Sequence, residues 1–218
     1  ALSLALEGNP RVMEIDAELH RALRLKAAGD VRSDWREFPA HGVMNRTPFV
    51  ILVRRGNPHR IETFSDLARQ DVQIIHPDPL TSGGAAWAIL AEFVSAVRDP
   101  AAMDSEDLRR GTEQLRSIWA RVVAQSPSAM GARTQFENGF GDALVTYEQQ
   151  GVATRSSRGE EVEMILPPRT ILSEHLAVLV DHNIRPRERF LALSFRDFLF
   201  SPEGQAIFVK YGFRSAVD

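Results

Sequence analysis

The chain has 218 residues, 44% of them hydrophobic, enough to bury a sizeable core in one large domain or two small lobes. Its 26 basic and 29 acidic side chains leave a net charge of -3, without the basic excess that nucleic acid or an anionic membrane surface would attract. Cysteine is absent, which excludes disulfides, thiolate metal sites and a cysteine nucleophile.

In chain order, residues 1–6 (ALSLAL) alternate as a strand does, with no strand–helix unit ahead of them, so the chain is expected to begin in mid-fold. They stop too soon for a signal peptide, and any export signal is expected to have been removed or to lie upstream. No apolar run reaches the ~20 residues of a membrane-spanning helix. A polar stretch rich in arginine and aspartate continues to Gly42. The continuous apolar run 48–53 has the character of a strand covered on both faces, and Arg54-Arg55-Gly56-Asn57-Pro58 ends it with turn chemistry.

A short helix is predicted over 65–69 and a buried strand over 72–75. His76-Pro77-Asp78-Pro79 then leads into Thr81-Ser82-Gly83-Gly84, after which Trp87, Leu90, Ala91, Val94 and Val97 follow helical spacing. Another helix is predicted over 104–124; its arginines from Arg109 to Arg121 stand among Glu106, Asp107 and Glu113, as on a solvated helix face. A turn at Ser126-Pro127-Ser128-Ala129, a short helix through Phe136, a turn over 139–141 and a strand over 143–147 repeat the rhythm, which predicts a mainly parallel sheet. A polar patch over 155–161 precedes strands over 162–166 and 175–180. Pro186 suits the first turn of an amphipathic helix whose Leu191, Phe195 and Phe198 are expected to face inward, and Ser201-Pro202-Glu203 opens a last helix with a serine cap.

Three places could carry chemistry. Thr81-Ser82-Gly83-Gly84 follows a buried strand and opens a helix, so its backbone amides should point out of a helix N-terminus, where four donors lack internal partners. Glycine lets an oxyanion approach the main chain closely, and the Ser82 hydroxyl adds a donor; the competing reading is an ordinary serine cap with a glycine-rich entry. Ser128-Ala129-Met130-Gly131 opens another helix from the same side of the sheet. Tyr147 ends its strand, where its hydroxyl could donate to the same ligand or simply pack half-buried. Nucleotide loops of the G-x-x-x-x-G-K-[ST] or G-x-G-x-x-G kind are missing, so no nucleotide cofactor is expected.

The stretches 48–58 (PFVILVRRGNP), 77–87 (PDPLTSGGAAW), 139–148 (GFGDALVTYE), 171–174 (ILSE) and 201–205 (SPEGQ) resemble, in order and spacing, the sulfate- and thiosulfate-binding proteins of ABC importers. The resemblance implies an α/β type II periplasmic-binding-protein fold, with mainly parallel sheets flanked by helices, one lobe complete and the other partial. It divides the chain into 1–42 as part of lobe I, 43–178 as lobe II and 179–218 as the return to lobe I. It implies a non-enzymatic periplasmic receptor that binds sulfate, thiosulfate or a molybdate-like oxyanion and presents it to a membrane permease. The matching ligand positions are Ser82, Gly83, Gly84 and Ala129. The family's indole donor falls on Tyr147, which looks more like the tyrosine of molybdate-binding relatives. Asp78 and Arg133 have no close equivalents in the motif and read as cap or surface residues. The front of the family's chain, which supplies ligands from the other lobe, has no counterpart here. The alternative expectation is therefore a truncated or repurposed lobe acting through protein contacts, with an exposed sheet edge pairing two copies in a dimer.

Enzyme readings find less support. The six histidines form no H-x-H or H-E-x-x-H spacing, Glu174 and His175 are strand neighbours that point to opposite faces, and no G-x-S-x-G elbow exists. Neither a metal nor another cofactor is expected.

Overall fold

The structure, a computed structural model, describes residues 13–14, 23–31 and 34–217. The strand expected over 1–6 lies outside the described residues. Among the described residues the strands are β1 (Met13–Glu14), β2 (Val43–Arg54), β3 (Ile74–Pro77), β4 (Val122–Ser126), β5 (Ala143–Tyr147), β6 (Val162–Ile165), β7 (Ile171–Leu176) and β8 (Arg214–Ser215). The helices that matter below are α1 (Gly83–Ser95), α2 (Ser105–Trp119), α3 (Ala129–Glu137), α4 (Glu148–Arg158), α5 (Arg189–Leu199) and α6 (Pro202–Lys210). Contacts group residues 13–14 with Pro48–Leu172 as one unit, and the described residues of 23–47 with those of 173–217 as another.

In the first unit the apolar run of β2 is a central strand. Phe49 to Val53 are each at most 1% exposed. On one side they pair antiparallel with β5, from Phe49↔Tyr147 to Val53↔Ala143, and on the other with β6. Strand β5 is parallel to β3, and β3 to β4, giving the order β6-β2-β5-β3-β4. Four strands therefore share one direction and β2 opposes them, a mixed sheet in an α/β unit. Helix α3 packs Ala132 and Phe136 onto Val50, Leu52, Ile75, Leu144 and Val162, all buried. Removing side chains of this size from water stabilises the unit by about 1.5–3 kcal/mol each before chain entropy is subtracted.

Several predicted elements shift. The helix expected over 104–124 ends at Trp119, and Val122–Ser126 forms strand β4 instead, because those residues complete the ladder beside β3. The short helix near 65–69 is a 3-10 turn, Phe64–Ala68, at whose start the Asp66 carboxylate accepts from the amides of Glu62 and Thr63 and from the Thr63 hydroxyl. The strand expected over 175–180 is Ile171–Leu176. Helix α4, hidden in a polar stretch, follows β5 directly.

Helix α2 begins at the N-cap Asp104, which accepts the Asp107 amide at 2.8 Å. Asp107, 2% exposed, accepts both the Arg98 amide and the Arg98 Nε at 3.1 Å. The Arg98 amide, then, against opposing burial, the Arg98 guanidinium, holds this carboxyl below its ordinary value of 3.8. A depressed folded value means that the stabilisation is present above 3.8 and is lost as pH falls through the folded value. Thermal unfolding followed against pH should therefore show a loss of Tm on the acid side of 3.8, and Asp107→Asn should lower Tm at neutral pH while flattening that acid slope.

The second unit builds its core from Val31, Trp35, Phe38 and Phe200, with Leu25, Met44, Leu176, Leu179 and Leu199 packed around them. Gly42, at φ +85°, must be glycine, since a Cβ there would lie 2.7 Å from the Trp35 carbonyl oxygen. Gln205, nearly buried, donates to the carbonyls of Met44 and Leu199 and accepts from the Ser215 hydroxyl and the Ala216 amide. The Ser201 hydroxyl caps α6 by accepting the Gly204 amide. The expected inward face of α5 is corrected: Leu191 is 70% exposed, Phe195 60% and Phe198 37%. Among the described residues, the helix reaches the core through Leu199 and the following Phe200 rather than through that stripe.

Candidate functional site

Parallel pairing of β3 and β4 brings their C-terminal ends level, with Pro77 opposite Ser126. Two hydrogen bonds join the turns that follow: the Asp78 amide donates to the Ser126 carbonyl at 2.7 Å, and the Thr81 hydroxyl donates to the Pro127 carbonyl at 3.0 Å. Strand β5 flanks β3 on the other side and ends at Tyr147. The C-terminal ends of parallel strands are where open α/β sheets place ligands, because loops and helix starts converge there.

Asp78 shapes the first turn. Its Oδ1 accepts the Leu80 amide at 2.8 Å, and its carbonyl accepts the amides of Thr81 and Ser82. Asp78, read from the sequence as a cap or surface residue, instead shapes the turn, since the cap of α1 is Ser82. Ser82 is the N-cap of α1, with extended backbone angles, and its carbonyl accepts the Ala85 amide. Its side chain makes no cap bond, unlike Ser128, whose Oγ accepts the Gly131 amide at 3.0 Å at the start of α3. The Ser82 hydroxyl, on a residue only 9% exposed, thus has no hydrogen-bond partner among the described residues. The amides of Gly83, Gly84, Ala129 and Met130 likewise meet no acceptor among the described residues, as expected of first-turn donors.

Glycine 84 and Tyr147 touch. A Cβ on Gly84 would lie 3.0 Å from Tyr147 Cε2 and 3.1 Å from its hydroxyl, whereas a Cβ on Gly83 would meet nothing within 4 Å. Tyr147 packs on Phe49 with ring centroids 4.5 Å apart. The five residues singled out by sequence, Ser82, Gly83, Gly84, Ala129 and Tyr147, therefore gather at one end of one sheet.

Sequence reasoning missed two features. Tyr147 is itself the N-cap residue of α4, so a third helix starts at this rim. Ser126 places its Oγ only 2.2 Å from where a Gly131 Cβ would lie, so the glycine lets a buried hydroxyl sit beneath the first turn of α3. The signal available in the sequence was Ser-Pro-Ser followed by a glycine in the next turn. Arg133, one turn into α3, donates to Gln150 Oε1 at 2.9 Å and lies 3.3 Å from Glu137, so its guanidinium braces α3 with α4. The arrangement offers hydroxyl and main-chain donors plus helix-dipole fields that favour negative charge.

In the second unit, Glu174 pairs with Arg46 at 2.6 Å and His175 bonds Asn45 at 2.6 Å, so each has a separate structural partner.

A family model described as bacterial extracellular solute-binding protein matches residues 17–214. The chain is 29% identical over 190 residues to the sulfate-binding protein of Escherichia coli K12, covering 85% of this chain and 56% of that one. It is 28% identical over 214 residues to the sulfate-binding protein of Synechococcus elongatus, covering 97% and 59%. The sulfate-binding protein SubI of Mycobacterium tuberculosis H37Rv superposes with a TM-score of 0.78 at 29% identity, over 96% of this chain and 70% of that one. A periplasmic thiamin-binding protein, 13% identical with a TM-score of 0.61 over 90% of this chain and 63% of its own, shares the fold alone. The chain spans a little over half the length of the sulfate-binding relatives it matches.

Proposed function

This chain belongs to the bacterial extracellular solute-binding protein family, and from that premise we propose that it binds sulfate or a similar tetrahedral oxyanion in the periplasm and delivers it to the permease of an ABC importer. The observation that carries the reading is the junction of two helix starts, α1 and α3, stitched through Thr81 and Pro127. Ser82, Gly83, Gly84 and Ala129 supply donors from these starts, and Tyr147 supplies a phenolic one. A dehydrated dianion loses strong hydration, and fixed N–H and O–H groups offset that loss without having to reorient. The similarity to sulfate-binding proteins favours sulfate; the tyrosine where that family has an indole leaves thiosulfate and molybdate-like anions as substrates to be compared.

Titration calorimetry with sulfate, thiosulfate, molybdate and phosphate tests this. Saturable heat is expected with at least one of the first three, and none with any of them overturns the reading. Ser82→Ala should weaken binding by about 1–3 kcal/mol, the cost of removing one hydrogen bond to a charged group, with Tm little changed.

A further inference from the structure

Beneath the turn that carries Ser82 lies a buried ionisable pair that anion binding does not use directly. His76, next to the end of β3, and Glu92, in the third turn of α1, expose no surface. His76 Nε2 stands 3.3 Å from Glu92 Oε1, off the line of a good hydrogen bond. On the other side of the ring, Nδ1 is 2.7 Å from the Pro77 carbonyl oxygen. Trp119, the last residue of α2, donates its indole N–H to Glu92 Oε2 at 3.3 Å and packs against the His76 ring at 4.7 Å. Gln114 of α2 donates to the Glu92 carbonyl and, at 2.6 Å, to Ser95 Oγ. The sheet neighbour of His76 in β4 is the uncharged Gln125. Among the described residues, no third ionisable side chain bonds to either member of the pair.

A carbonyl only accepts, so the Pro77 contact assigns a proton to Nδ1. Nε2 then faces a carboxyl oxygen. Two lone pairs at this distance would repel, so the pair is expected to carry one further proton, as imidazolium with carboxylate or as imidazole with carboxylic acid. Either form leaves the pair neutral overall, whereas gaining or losing a proton would leave a single charge in a dry interior.

We propose that His76 and Glu92 are positioning residues for the anion turn. Their 3.3 Å contact, with Trp119 against both, ties the end of β3 to α1, and so fixes where the first-turn amides of Ser82, Gly83 and Gly84 point. The affinity consequence rests on the sulfate reading above; the proton assignment does not.

Sulfate titration of the native chain, Glu92→Gln and Glu92→Ala, each at a temperature where circular dichroism shows it folded, tests the first part. The glutamine can donate to a neutral His76 Nε2 and still accept from Trp119, so its affinity should stay within about two-fold of native, while alanine should lose about ten-fold. A native affinity in Glu92→Ala, or an equal loss in both variants, overturns the positioning role, because the turn would then be held by its own backbone bonds. Nitrogen-15 spectra of histidine-labelled native protein test the second part and need no ligand. His76 is expected to carry a proton on Nδ1, and a His76 with a bare Nδ1 overturns the assignment. Absence of sulfate heat in the native chain counts against the sulfate reading, and the spectra then decide the pair on their own.

Discussion

Replacing Gly84 by valine should weaken oxyanion binding by about a hundred-fold or more, equivalent to about 2.7 kcal/mol, while leaving the sheet intact. The added Cβ would lie 3.0 Å from Tyr147 Cε2 and 3.1 Å from its hydroxyl, closer than ordinary carbon contacts. Phe49, 1% exposed and packed at a tilt with its ring centroid 4.5 Å from that of Tyr147, limits how far that ring can retreat. Either the ring or the first turn of α1 must shift, and both supply donors in the proposed site, so the substitution displaces a donor whichever moves. Gly83→Val provides the comparison: its Cβ enters open space, so Tm should hold while the side chain occupies room the anion needs. Calorimetric titration beside thermal unfolding checks both, and a Gly84→Val affinity within about three-fold of native would contradict the proposed geometry.

The sequence made some of this plain because the deciding physics is local. Residues 48–53 are apolar without alternation since both faces of β2 are covered, and Ser-Gly-Gly after a strand marks a helix start whatever lies elsewhere. Other elements depend on distant partners. Strand β4 alternates between part-buried and exposed positions at the sheet edge and continues the helical pattern before it; only its ladder with β3 distinguishes the two. Helix α4 carries no apolar stripe because it packs through Gly151, where a Cβ would lie 2.6 Å from Met164 Sδ and 3.0 Å from Leu52. A helix that docks through a glycine leaves no hydrophobic period to read. In the site, the helix starts could be named one by one. The contact of Gly84 with Tyr147, 63 residues later, follows only once β5 is laid beside β3. His76 lies in what reads as a loop, and its contact with Glu92 follows only once the fold buries the two together.

The same dependence on distant partners governs the largest stability effect. Arg54 ends β2, where the sequence suggested only a turn, yet its guanidinium donates to the carbonyls of Phe136, Phe140 and Gly141 and lies 3.9 Å over the Phe136 ring. These carbonyls belong to the C-terminal end of α3 and the turn after it, where a cation suits the helix dipole. Burial pulls this guanidinium below the ordinary arginine value, with Asp142 opposing the shift. Phe136 itself exposes no surface. Phe136→Ala should cost about 3–5 kcal/mol, from lost transfer energy and the cavity left among Val50, Ile75 and Leu144. Arg54→Met should cost less, because its methylenes still cover the ring while the carbonyls lose their donors. Since each residue supports the other, the double variant should fall short of the sum by about 0.5–1.5 kcal/mol in denaturant unfolding. Strict additivity would mean that Arg54 holds the α3 carbonyls independently of the ring. The helix whose N-terminus offers the Ala129 amide would then be secured at its far end by hydrogen bonds alone.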